Sequence, residues 1–104
     1  MTSQGSAYAR FQRALLTGNL AVIRSAASEL PAIDLDDALA VCAVMARTGD
    51  PAFDRAAARW AARYCLERPN AGMAQLRAAL GLLDTLAADS ERATAALKAL
   101  AART

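Results

Sequence analysis

Histidine is absent from this chain of 104 residues. Its absence removes the commonest general base, the usual nucleophile–base–acid triad and most zinc sites. The two cysteines, Cys42 and Cys65, are too far apart in sequence for a metal knuckle, and no second pair exists. No glycine-rich stretch has the spacing of a phosphate loop. Strand signals are missing as well, since no run alternates β-branched and polar residues. The central uncharged run, Ala38–Ala46, falls far short of the roughly 18 apolar residues that span a bilayer. The opening MTSQGSAYARFQR has no apolar segment of the signal-peptide kind. A cytoplasmic location is therefore expected, with both thiols reduced and buried. Acids do cluster at Asp34, Asp36 and Asp37, but helix capping accounts for them. No catalytic constellation, metal or cofactor is expected, and the chain reads as a non-enzyme.

What is abundant is alanine, which supplies about half of the 56% hydrophobic residues. Alanine favours helix and adds little core volume. Closely packed helices follow, with few large side chains setting their contacts; aromatic residues are only 5%. A chain of this length buries roughly two-thirds of its unfolded surface, enough for one domain.

The stretch Asp34–Glu67 organises the rest. Asp34 suits an N-cap, and Asp36 and Asp37 suit the positive end of the helix dipole. Leu35, Ala38, Leu39, Cys42, Met45 and Ala46 recur at spacings of three and four, one apolar helical stripe. Gly49 fits the left-handed position after a helix, Asp50 the next N-cap and Pro51 a first helical turn. Phe53, Ala57, Trp60, Ala61 and Tyr64 form a second stripe, and Pro69 ends it.

Around this hairpin, residues 1–5 are expected to be disordered. A first helix over Ser6–Thr17 turns Tyr8, Phe11, Ala14 and Leu15 inward. Gly18 ends it, Asn19 caps a second helix with the stripe Leu20, Ile23, Ala27 and Leu30, and Pro31 stops that one. Asn70 is the expected cap of a fifth helix. Its stripe is Met73, Leu76, Leu80, Leu83 and Ala87, widened by Leu82 and Leu86. Gly81 inside it suggests a close helix–helix approach. Asp89 or Ser90 caps a last helix with Ala93, Ala96, Leu97 and Leu100 inward. The expected fold is all-α, a single domain over residues 6–104. It has five or six short helices as stacked antiparallel hairpins over about 6–30, 34–68 and 70–103. Leu39, Phe53, Trp60 and Leu80 should share one core.

An internal repeat supports the hairpins. Residues 17–27, TGNLAVIRSAA, align without gaps to residues 48–58, TGDPAFDRAAA. Each copy is a helix end, a Gly-Asn or Gly-Asp turn and a helix start. Two helices per period of about 31 residues resemble helical-hairpin repeats of the tetratricopeptide type. The tetratricopeptide pattern of Trp, Gly, Tyr and closing Pro is not met in register. The text also resembles short Ala/Arg-rich helical proteins of high-GC bacteria. Neither resemblance carries a functional residue to this chain.

Net charge is +2, too small to require a nucleic-acid or membrane partner. The cations are almost all arginine, with Lys98 the one lysine. Arg55, Arg59 and Arg63, spaced i, i+4 and i+8, form a row apart from the Trp60 stripe, with Arg47, Arg68 and Arg77 near in sequence. The row reads as a solvated face favoured by GC-rich codons, as a surface for an acidic protein, or as a phosphate-binding surface. Against a DNA-reading helix, its leading end carries Asp50 and Asp54. Glu29, Asp34, Asp36 and Asp37 make an opposite acidic edge, which would allow head-to-tail homo-oligomers. The expected function is a non-enzymatic protein–protein interaction module, an adaptor or small regulatory subunit. Its expected partner site is Arg47, Arg55, Arg59, Arg63 and Arg68, with Leu82 and Leu86 as an adjoining apolar patch. The alternative is a small nucleic-acid-associated regulator using the arginine row.

Overall fold

A computed structural model describes residues 3–104, and the side chains of residues 5–104. Its elements are α1 (Ser3–Thr17), α2 (Leu20–Ala27), α3 (Leu35–Thr48), α4 (Phe53–Glu67), α5 (Met73–Leu83) and α6 (Ser90–Arg103). The fold is all-helical, with no strand among the described residues. Consecutive pairs α1–α2, α3–α4 and α5–α6 form three packed hairpins. Beyond its own hairpin, α3 meets α1, α2 and α6, while α5 leans on α4. The central helix is therefore covered on more than one side, and α6 returns against it to close the bundle.

Local chemistry explains the boundaries. Gly18 and Gly49 both take positive φ, 66° and 68°, a conformation costly for residues with a Cβ. Asn19 Oδ1 accepts from the backbone N–H groups of Ala21 and Val22, and Asp34 Oδ1 from that of Asp37. These contacts satisfy donors that the first helical turn leaves free. At the second turn, Asp50 Oδ1 accepts from Ala52 N at 2.8 Å. Asp50, Pro51 and Ala52 thus make a turn ahead of α4, whose regular part begins at Phe53. The expected cap at Asp50 and first helical position at Pro51 therefore shift to Ala52 and Phe53, and two further caps shift as well. Gly72, not Asn70, precedes α5, and Gln75 Oε1 accepts from the Gly72 N–H at 2.9 Å. Asp89 precedes α6 without a side-chain cap and pairs with Arg92 at 3.3 Å instead. Helix α1 starts at Ser3, ahead of the expected Ser6 and inside the stretch expected to be disordered; Met1 and Thr2 lie outside the described residues.

Two apolar clusters hold the helices. The larger gathers Leu35, Leu39, Cys42 and Met45 of α3 with Trp60 and Tyr64 of α4, Ala79 and Leu83 of α5 and Leu97 and Leu100 of α6. The smaller places Phe11, Ala14, Ile23 and Ala26 against Val44 of α3. Trp60 and Tyr64 stack at 5.6 Å between ring centroids. The Trp60 indole donates to the Leu35 carbonyl at 2.8 Å, and the Tyr64 hydroxyl bonds Thr104 Oγ1 at 2.9 Å. Both aromatic handles are satisfied inside apolar surroundings, as buried Trp and Tyr require.

Several expectations about packing need correction. Ala87 is exposed beyond the end of α5, and Cys65 is half-buried, not buried. Leu80 is 47% exposed and Met73 62%, so they leave the shared core. The buried face of α5 runs through Ala79 and Leu83 and continues into Leu86, which is fully buried beyond the helix end. Leucines lie on several sides of this helix, so periodicity alone chose the wrong edge of a wide stripe. Tyr8 of α1 is also largely exposed, because its hydroxyl turns out to Asp37. Gly81 has no close neighbour, for a Cβ there would meet nothing within 4 Å.

Candidate functional site

The five expected arginines divide into two groups. Arg47 reaches from the end of α3 to Ser90 Oγ at 2.9 Å. Arg68 donates from Nε to the Ala101 carbonyl at 2.9 Å, so it caps α6 from outside. Arg63 donates to the Ile33 carbonyl at 2.6 Å and to the Glu67 carboxylate. These three guanidinium groups join elements together. Arg55 and Arg59 are exposed and make no hydrogen bond or ion pair among the described residues. Only two members of the row are therefore freely presented.

The apolar pair expected beside the row is misplaced. Leu86 is buried in the core, and Leu82 is half-buried against it. Their positions follow from the rotated face of α5. The apolar residue that adjoins the arginines is Leu66, 87% exposed. It lies seven residues after Arg59, two helical turns along the same face of α4. That spacing was readable in the sequence.

The acidic edge is largely committed inside the molecule. Asp37 accepts from the Tyr8 hydroxyl at 2.9 Å and from Gln12 Nε2 at 3.2 Å. The hydrogen bond to Asp37, helped by burial and the charges of Asp37 and Asp34, raises the Tyr8 pKa. Glu29 pairs with Arg10 at 2.6 Å, and Asp34 caps α3. These contacts dock α1 on the start of α3 and tie it to the turn that follows α2. Of the four acids, Asp36 is exposed with no partner among the described residues.

A cleft of about 390 Å³ opens where α2, α3 and α4 meet. Val41, Cys42, Met45, Ala56 and Trp60 line it, and Arg24, Arg59 and Arg63 stand around it. Arg24 is held only loosely, 3.8 Å from Asp50. Two other grooves are less distinctive. The one between α1, α3 and α6 mixes Arg47 and Lys98 with Glu91, and the one between α1 and α2 contains the Arg10–Glu29 pair.

At the cleft, burial pushes the Cys42 thiol up to about 11, and the charge of Arg59 opposes that shift only in part. At neutral pH Cys42 is a protonated thiol, the form that neither attacks nor binds metal. No group of three metal-binding side chains occurs among the described residues. No described helix is long and apolar enough to cross a membrane. Comparison with protein-family models, curated proteins and solved structures finds no match to this chain.

Proposed function

We propose that this protein is a non-enzymatic protein–protein interaction module, an adaptor or small regulatory subunit working through the α4 side of the bundle. The observation that carries the reading is the joining of two surfaces. An apolar cleft backed by the buried side chains of Met45 and Trp60, with the half-buried Val41 beside them, adjoins a helix face with the untied Arg55 and Arg59 and the exposed Leu66. Interface cores favour aromatic, methionine and arginine side chains, with polar groups at the rim. The nucleic-acid alternative required Arg55, Arg59 and Arg63 to be free together and continuous with Arg47 or Arg68. Arg63 is occupied by Glu67 and Ile33, and Arg47 and Arg68 by Ser90 and Ala101. Two free cations give a shallow salt dependence, since each neutralised phosphate contributes one unit of slope.

The test combines affinity capture from native cells with a salt titration. One stoichiometric protein partner, lost when Arg55 and Arg59 are both changed to glutamate with helicity intact, is the expected result. No binding to a generic duplex or single strand at low salt is expected beside it. Tight, steeply salt-dependent binding to either nucleic acid would overturn the reading.

A further inference from the structure

We infer that the outer face of α5 receives α5 of a second copy of this chain, antiparallel to it across a two-fold axis. This goes beyond the α4 reading and stands without it. Met73, Arg77, Leu80 and Asp84 recur at spacings of four, three and four, so they share one helical face. Met73 is 62% exposed and Leu80 47%. Arg77 and Asp84 are exposed, and neither side chain has a hydrogen bond or ion pair among the described residues. No other described helix combines two exposed large apolar side chains with free charges of both signs.

The order of these residues makes the face complementary to itself. Arg77 and Asp84 lie two helical turns apart, too far to pair within one chain. A two-fold axis passing between residues 80 and 81 exchanges their positions. Arg77 of each copy then meets Asp84 of the other, and the contact contains both pairs, as an isologous interface requires. Asp84 stands at the C-terminal end of α5, where the helix dipole disfavours a carboxylate. A guanidinium from the second copy offsets that cost and binds the carboxylate in bidentate geometry. A partner with charge of one sign would leave either Arg77 or Asp84 unanswered.

The apolar groups fit the same arrangement. Each Leu80 falls beside Gly81 of the other copy. Within one chain nothing outside its own helix stands close to Gly81, and the exposed Ala74 adds little bulk on the same side, so a second helix can approach closely. Met73 extends the contact toward the turn after α5 of the second copy, where Ala87 and Ala88 are exposed. Helix α5 has 11 residues, a length on the order of 16 Å. One such face keeps the contact below the roughly 1,200 Å² of stable interfaces. The dimer is therefore a weak one that forms as concentration rises.

Sedimentation equilibrium of the full chain from about 5 to 500 µM, the range a contact of this size needs, tests this. The expected result is a monomer–dimer equilibrium that stops at the dimer. Arg77→Glu and Asp84→Arg, each with helicity intact, should weaken self-association at least tenfold, because each makes both pairs of the contact repulsive. Mixed one to one, the two variants should dimerise with each other, since each then meets the opposite charge. The double variant Arg77→Glu/Asp84→Arg should recover self-association, and Leu80→Glu should lose it. A monomer at every concentration, growth beyond the dimer, or a dimer indifferent to both reversals overturns the assignment. So does a mixture of the two variants that associates no better than either alone.

Discussion

The α1–α2 hairpin and the body formed by α3 to α6 are built from the same few residue types but held very differently. Among the described residues the body buries eighteen side chains in one cluster, including Trp60, Tyr64 and six leucines. The hairpin cluster has five, and one of those, Val44, belongs to α3. In the body two aromatic rings stack and both polar tips are bonded within the fold. In the hairpin Phe11 is buried while its neighbour Tyr8 points outward, their centroids 6.4 Å apart. Hydrophobic stabilisation scales with area removed from water, so the hairpin is the unit that opens first. Local opening of such units is the ordinary hierarchy of a small protein. The cleft spans this boundary, with Arg24 coming from α2 and the remaining wall from α3 and α4 together with Ile33 just ahead of α3.

The largest expected effect belongs to the body. Trp60→Ala removes a buried ring and leaves the Leu35 carbonyl without its donor. The cost should be about 3–5 kcal/mol, seen as a lower denaturation midpoint for the whole chain. Loss of protection confined to α4 would break the idea of one cooperative body.

Phe11→Ala comes next, nominally about 3 kcal/mol, but it should act locally. Amide hydrogen exchange should quicken across α1 and α2 while α4 and α6 keep their protection. If all six helices lose protection together, the two regions are one cooperative unit and the distinction fails.

These contrasts also show what could be read from residues alone. The turns at Gly18 and Gly49 and the caps at Asn19 and Asp34 depend on neighbours within four positions, and the sequence contains all of them. The α3 and α4 stripes were legible because their large side chains lie on one narrow arc. Helix α5 was not, since Met73, Leu76, Leu80, Leu82 and Leu83 spread over about half of its circumference. There the choice falls to neighbours, and small Ala79 lies wholly inside. The arginine row was legible as spacing but not as chemistry. Arg63 and Arg68 reach carbonyls at Ile33 and Ala101, some 30 residues away in each case, and no local rule finds such partners. The cleft is tertiary too: three helices form it, and only Arg59 and Arg63 belonged to the expected site.

The paired turns sharpen the comparison at a smaller scale. Both glycines have positive φ and open space around a Cβ, so a substitution there costs backbone strain alone. Valine should cost about 1–2 kcal/mol, and asparagine less, because it tolerates the left-handed region. Gly49→Val should lower the global midpoint. Gly18→Val, with the same local strain, should chiefly raise the exchange rates of α1 and α2. Equal and harmless behaviour of valine and asparagine at both sites would contradict the turn geometry.

The smallest effect should be a gain. Gly81 sits in α5 on the exposed side, without positive φ and with nothing beyond its own helix backbone and chain neighbours within 4 Å of a would-be Cβ. Nothing in the packing requires glycine, so its flexibility only widens the unfolded ensemble and weakens the helix. Gly81→Ala should therefore stabilise the body by about 0.5–1 kcal/mol. Because α5 joins the body through α4 and α6, the gain should not reach the hairpin. Thermal melting should move up while exchange from α1 and α2 stays as it was, widening the gap between the units. A destabilised Gly81→Ala protein would mean that a methyl group is not tolerated there. Equal slowing of exchange in both units would mean that the hairpin opens only when the body does.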